Sequence, residues 1–222
     1  MKVEELKDIL RQCRITVGLT LVLGLLNLGF WLTGPQNEWY QSLWAFMEYN
    51  RERILGAELW RLFTGHWVHW SAEHFLLDAL VFLIQGFAFE YKIGRRYGWM
   101  LMLSAAVISV ALLLFQKELN LYRGVSGLIN TQLVLGAGLF VIDPTLKKSV
   151  KAIYLSVFSI HLLKIAYETI FRTSFFATDA LGHMGAFTPL AHLAGVLVGL
   201  GFLLPRVRSN RFSRPSPQGT VQ

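Results

Sequence analysis

The chain has 222 residues, of which 54% are hydrophobic and only 16% charged, against about 25% charged in a soluble domain. Its mean hydropathy is +0.44, its formal net charge +7 and its pI about 9.7. A soluble enzyme would need more polar surface, and a nucleic-acid binder of this basicity would be less apolar, so the composition points to a multi-pass membrane protein with its positive charges in loops.

Six apolar segments, taken in chain order, predict an all-α, polytopic bundle of six transmembrane helices over residues 15–32, 74–89, 99–115, 124–142, 150–167 and 188–204. A bilayer core of about 30 Å needs about 17–25 helical residues. The first segment is charge-free and longer than a signal-peptide core, so it is expected to be retained. The second is short and interrupted by Asp78 and Gln85, which turns it toward the bundle interior rather than lipid. Between the first two spans, residues 33–73 form the longest loop, rich in aromatics from Trp39 to Trp70. Such a loop suits the membrane interface, or a fold over the top of the bundle. Residues 1–14 read as a cytoplasmic segment, 15–204 as the membrane domain, and 205–222 as a disordered basic cytoplasmic tail. The single cysteine, Cys13, cannot form an internal disulfide.

Charge asymmetry orients the bundle. With both termini in the cytoplasm, fourteen of the 21 basic residues lie inside and six outside, Lys164 falling within a span. The even-numbered helices then all begin at the outer face. Gly124-Val-Ser126-Gly127 opens the fourth span, where flanking glycines allow close backbone approach and the first helical turn leaves N–H donors unpaired. By themselves these four residues favour the reading of a small-residue packing contact. His192 begins a run in which Gly195 and Gly199 form a G-x-x-x-G pair on the same face, so that face meets another helix. His74 and Asp78, spaced i, i+4, share a face of the second span. Ser126, His192, His74 and Asp78 therefore fall in one shallow layer near the outer face.

Acyl transfer is the chemistry such a layer supports. A serine needs a base within hydrogen-bond reach, histidine suits that task, and the tetrahedral intermediate needs fixed donors. The Ser126 backbone N–H and the His74 side chain are candidate donors. No carboxylate stands out behind His192, so a Ser-His dyad is expected rather than a triad.

These residues resemble the rhomboid intramembrane serine proteases over roughly residues 58–204. The motifs are Trp60-Arg61, His74-Phe-Leu-Leu-Asp78, Glu90-Tyr-Lys-Ile-Gly94, Gly124-Val-Ser126-Gly127, and Ala191-His192-Leu-Ala-Gly195-Val-Leu-Val-Gly199, in the family's order. The resemblance implies Ser126 as nucleophile, His192 as general base, and His74, Asp78, Gly124 and Gly127 around the oxyanion site. It also implies helix packing through Gly195 and Gly199, and a structural pair between Arg61 and Glu90. The implied substrates are transmembrane segments of other proteins, cleaved near the outer face of the lipid bilayer, with no nucleic-acid partner, no cofactor and no metal. Asp78 stands where the family has asparagine. Either burial keeps it protonated, or it pairs with His74 and holds that ring as a cationic donor; the i, i+4 geometry favours the pairing. The stretches from Arg61 to Trp70 and from Tyr122 to Gly127, with Asp78, are similar to the rhombosortase subgroup. That similarity implies a bacterial inner-membrane enzyme removing C-terminal Gly-Gly sorting anchors. Two other readings stand beside this one: a multi-span metal-dependent amide hydrolase, and a non-catalytic rhomboid-like binding protein.

Among the remaining polar residues, His66 and His69 read as packing residues of the aromatic loop rather than metal ligands. His161 is expected to bond backbone or a hydroxyl, Lys164 to snorkel outward, and His183 to lie in the last outer loop.

Overall fold

The computed structural model describes residues 3–34, 37–171 and 189–209. Its helices are α1 (Val3–Gln12), α2 (Arg14–Thr33), α3 (Glu38–Met47), α4 (Arg51–Leu55), α5 (Arg61–Thr64), α6 (Ala72–Ile93), α7 (Arg96–Phe115), α8 (Ser126–Ile142), α9 (Lys148–Phe171) and α10 (Pro189–Ser209). A 3-10 turn covers Gly65–Trp67, and two short strands, β1 (Tyr49–Asn50) and β2 (Leu121–Tyr122), pair antiparallel with Tyr49 opposite Tyr122.

Four helices, α2, α6, α7 and α9, are long and apolar enough to cross a membrane; α8 and α10 contribute shorter apolar stretches. The predicted fourth span begins two residues late, because Gly124 and Val125 lie outside α8 and Ser126 is its first residue. The fifth extends past its predicted end at residue 167 to Phe171, which brings Glu168 into the helix. The sixth continues past residue 204 through Pro205 to Ser209. A proline removes one helical hydrogen bond, which neighbouring groups in a membrane helix can replace. Residues 210–222 of the predicted tail, and His183, lie outside the described residues.

α8 is the central helix. Residues 127–137 are buried without interruption, against α10, α6, α9 and α7. Its polar residues Asn130, Thr131 and Gln132 are buried, and each finds a partner, as polar groups in a protein interior must. By contrast α9 buries only Ile165 and Glu168. The long aromatic loop is not irregular. Asn37 caps α3 by accepting from the Tyr40 N–H, and the Trp44 ring stacks 3.9 Å from Phe30 of α2 while its Nε1–H donates to the Leu26 carbonyl. Trp39 and Phe46 remain exposed, as side chains at a membrane interface would be.

Candidate active site

Ser126 and His192 come together across α8 and α10. The ring Nε2 of His192 lies 3.1 Å from Ser126 Oγ, within reach for proton transfer. Gly195 and Gly199 make the approach possible, a Cβ at Gly199 standing 2.8 Å from the Thr131 carbonyl oxygen. A Cβ at Gly195 would collide with the Gly127 carbonyl oxygen, so glycine there lets the two helix backbones touch. Thr131 reinforces the crossing by donating its hydroxyl to the Gly195 carbonyl at 2.9 Å. Gly124 has φ +134°, a conformation that favours glycine, and a Cβ there would stand 3.3 Å from His74 Cε1 and 3.9 Å from Ser126 Oγ. It sits between the nucleophile candidate and the His74 ring.

His74 is positioned by the start of α6, where Ser71 caps the helix by accepting from the His74 N–H. Its Nε2 lies 3.2 Å from Asp78 Oδ2, so the i, i+4 pairing is present as a direct contact. The same carboxylate oxygen lies 3.3 Å from His69 Nε2, so His69 is more than the packing residue that the sequence predicts. His69 is fully buried in the loop before α6, and burial lowers its pKa against the opposing pull of Asp78. Its Nε2 faces both that carboxylate and, at 3.4 Å, the Val125 N–H, which donates to it. Asp78 thus bridges two histidines.

Behind His192 the structure corrects the expectation that no carboxylate is placed there. Glu168 of α9 is 3% exposed, and its Oε2 lies 3.5 Å from His192 Nδ1. Its Oε1 lies 2.7 Å from Lys164 Nζ, one turn earlier, so Lys164 pairs inside the protein instead of snorkelling outward. His161, one further turn back, places Nε2 2.6 Å from Asn130 Oδ1, an amide rather than backbone or a hydroxyl. Asn130 in turn donates to the Ser126 carbonyl at 2.8 Å. The signal for this cluster was in the sequence, since His161, Lys164 and Glu168 recur at i, i+3 and i+7 on an otherwise apolar span. Ending the span at residue 167 hid it. Among the described residues no group of three or more His, Cys, Asp or Glu side chains is arranged to hold a metal ion.

Residues 56–209 match the Rhomboid domain family, whereas no curated protein matches the chain significantly. The chain belongs to the rhomboid family. Rhomboids are typically intramembrane serine proteases that act on transmembrane substrates in the bilayer, and this one is an integral membrane protein.

In this rhomboid the implied Arg61–Glu90 pair does not form. Arg61, 2% exposed, donates to the Ala45 and Glu48 carbonyls and binds Glu58 Oε2 at 2.7 Å, all within the loop between α2 and α6. Glu90 lies sixteen residues beyond His74 on α6, roughly 24 Å further along the helix at 1.5 Å per residue. Its two carboxylate oxygens instead accept the Ile15 and Thr16 N–H groups at 2.9 and 2.7 Å, closing the first turn of α2. The loop is tied to the serine by other groups. Arg123, three residues before Ser126, binds Glu48 Oε2 through Nη2 at 2.7 Å, and its guanidinium lies 4.2 Å from the Trp70 ring centroid. The Gly124 N–H donates to the Gly65 carbonyl, and the Tyr122 hydroxyl to the Gly124 carbonyl at 2.8 Å. Together with the β1–β2 pairing, these bonds make the loop a clamp on the segment that presents Ser126.

Proposed function

We propose that this rhomboid is an intramembrane serine endopeptidase with Ser126 as nucleophile and His192 as general base. The observation that carries the reading is the 3.1 Å contact between His192 Nε2 and Ser126 Oγ. In this mechanism Oγ attacks the scissile carbonyl carbon as its proton passes to Nε2. The N–H groups of the first turn of α8, with His74 held by Asp78, face the negative charge that develops on the carbonyl oxygen. His192 returns the proton to the leaving amine as the C–N bond breaks, and then activates the water that releases the acyl group.

Reaction with a fluorophosphonate probe tests this directly. Labelling is expected for the native chain, abolished in Ser126→Ala, lowered at least about 100-fold in His192→Ala, and indifferent to chelators. Labelling that survives Ser126→Ala overturns the assignment. Loss of proteolysis on chelation instead favours a metal-dependent hydrolase.

The substrate class in this reading is a membrane-anchored protein cut near the outer face of a bacterial inner membrane, by a six-span bundle with both termini cytoplasmic. Fourteen basic residues on the cytoplasmic side and six on the other support that orientation. Similarity of the loop histidines, Arg123 and Asp78 to rhombosortases supports a more specific role, the removal of C-terminal Gly-Gly sorting anchors. His69 and Arg123 both contact the catalytic layer or its loop, which is consistent with that group of residues acting together. Co-expression with a Gly-Gly-tailed reporter is expected to give Ser126-dependent release, and none with the tail's glycines replaced by leucine. Equal release of both reporters argues for a general rhomboid specificity.

A further inference from the structure

We propose that Glu168 is a positioning residue for His192, completing a Ser126–His192–Glu168 array on three different helices. The inference rests on the serine-protease reading above and deepens it, because the family resemblance implies only a dyad.

Three observations carry it. First, Nδ1 of His192 is buried and has no hydrogen-bond partner among the described residues, while Glu168 Oε2 stands 3.5 Å from it. A ring whose other nitrogen faces a serine needs something to fix its tautomer and rotation. Second, Glu168 is almost completely buried, in a chain where most of the side chains on its helix face outward. A carboxylate at such a position is costly unless it is paired. Third, Lys164 supplies that pairing through the opposite oxygen, Oε1, at 2.7 Å. The lysine balances the carboxylate without occupying the oxygen turned toward His192. At 3.5 Å the contact is longer than a formed hydrogen bond, and catalytic hydrogen bonds commonly tighten only when substrate is bound.

The proton bookkeeping is that of an orienting carboxylate. When Ser126 Oγ bonds to the scissile carbon, its proton moves to His192 Nε2 and the ring becomes an imidazolium. The Nδ1–H of that ring faces Glu168, whose charge stabilises it without taking the proton, and the Nε2 proton leaves with the amine. Among the described residues, the other charged or titratable groups around this cluster are Lys164 and His161 on α9 and His74 and Asp78 on α6. None of them is placed at Nδ1 of His192.

The competing account is that Glu168 serves only to neutralise Lys164. Full-length protein in detergent separates the two, using fluorophosphonate acylation rates and kcat and KM on a cleaved substrate. Glu168→Gln keeps the shape and removes the charge, and is expected to lower kcat and the acylation rate about 100-fold with KM within about twofold. The double variant Lys164→Met/Glu168→Gln removes both charges of that pair together, so it remains informative if the single variant fails to fold. It is expected to stay as slow as the single. Recovery of native rates in the double variant, or native rates in Glu168→Gln, overturns the proposal and leaves the serine-protease reading intact. Rates are compared only after Ser126→Ala abolishes labelling in the otherwise native chain; if it does not, the serine-protease reading fails first.

Discussion

Asp78 and His66 show how much single buried groups control in this protein. Asp78 is shared by His69 and His74 at 3.3 and 3.2 Å, so an amide in its place leaves two rings with a neutral, partly donating partner. Asp78→Asn is expected to lower kcat at least about tenfold across pH 6–9; full activity over that range shows that the charge is irrelevant and sinks the pairing. His66 is fully buried, with Nε2 within 3.2 Å of the Ala105 carbonyl and 3.1 Å of Ser109 Oγ. Burial lowers its pKa to about 4. A histidine depressed below its unfolded value binds fewer protons in the folded state than in the unfolded one, so stability falls as pH drops through that window. Between pH 6.5 and 5 the loss from His66 alone is about 2 kcal/mol. A thermal melt in detergent is expected to drop over that range, and His66→Gln to flatten the drop.

At the scale of elements, the α8–α10 crossing decides whether the serine and histidine meet. The Gly195 position admits no side chain because the Gly127 carbonyl occupies the space, whereas a Cβ at Gly201 on the same helix would meet nothing within 4 Å. Gly195→Ala is therefore expected to push the helices apart and reduce acylation of Ser126 by about 100-fold, since a misplacement near 1 Å is enough for that. Gly201→Ala is the matched control and should behave as native. The loop clamp makes a second element-scale prediction. Arg123 and Glu48 have side chains 16% and 8% exposed and form a direct ion pair. Arg123→Ala leaves Glu48 without that partner, at a cost of about 3 kcal/mol, and releases the segment before Ser126. The expected result is a lower melting temperature together with slower labelling; a normal rate in a destabilised protein refutes the coupling.

For the molecule as a whole, the proposed orientation in the membrane rests on charge placement, and it is measurable. Cys13 is the only cysteine and is buried, so Cys13→Ser provides a background for single cysteines. Leu59 is exposed in the loop between α2 and α6, and Lys147 is exposed between α8 and α9. A membrane-impermeant maleimide added to intact cells is expected to label Leu59→Cys and not Lys147→Cys. The reverse pattern inverts the topology and moves the Ser126 layer to the cytoplasmic face.

Legibility divided along a physical line. Hydropathy and spacing are local, so the apolar helices, the shared face of His74 and Asp78, and the glycine-faced helix bearing His192 could be read from order alone. The sequence by itself also placed Ser126 beside glycines near the start of a helix, because backbone freedom belongs to the residue, though it began that helix two residues early, at Gly124. What it did not carry was the rotation of one helix against another. Whether Glu168 meets His192, whether Lys164 turns inward, and which carboxylate Arg61 finds depend on crossing angles and on the 24 Å or so that separates His74 from Glu90 along α6. His69 was hidden for the same reason, since a loop residue gains its partner only when the loop folds back onto α6. Tertiary structure alone decided the contacts of Glu168 with His192 and of His69 with Asp78, because neither pair is at a helical spacing, whereas Lys164–Glu168 at i, i+4 and Glu58–Arg61 at i, i+3 are local pairs for which only packing decided that they turn inward.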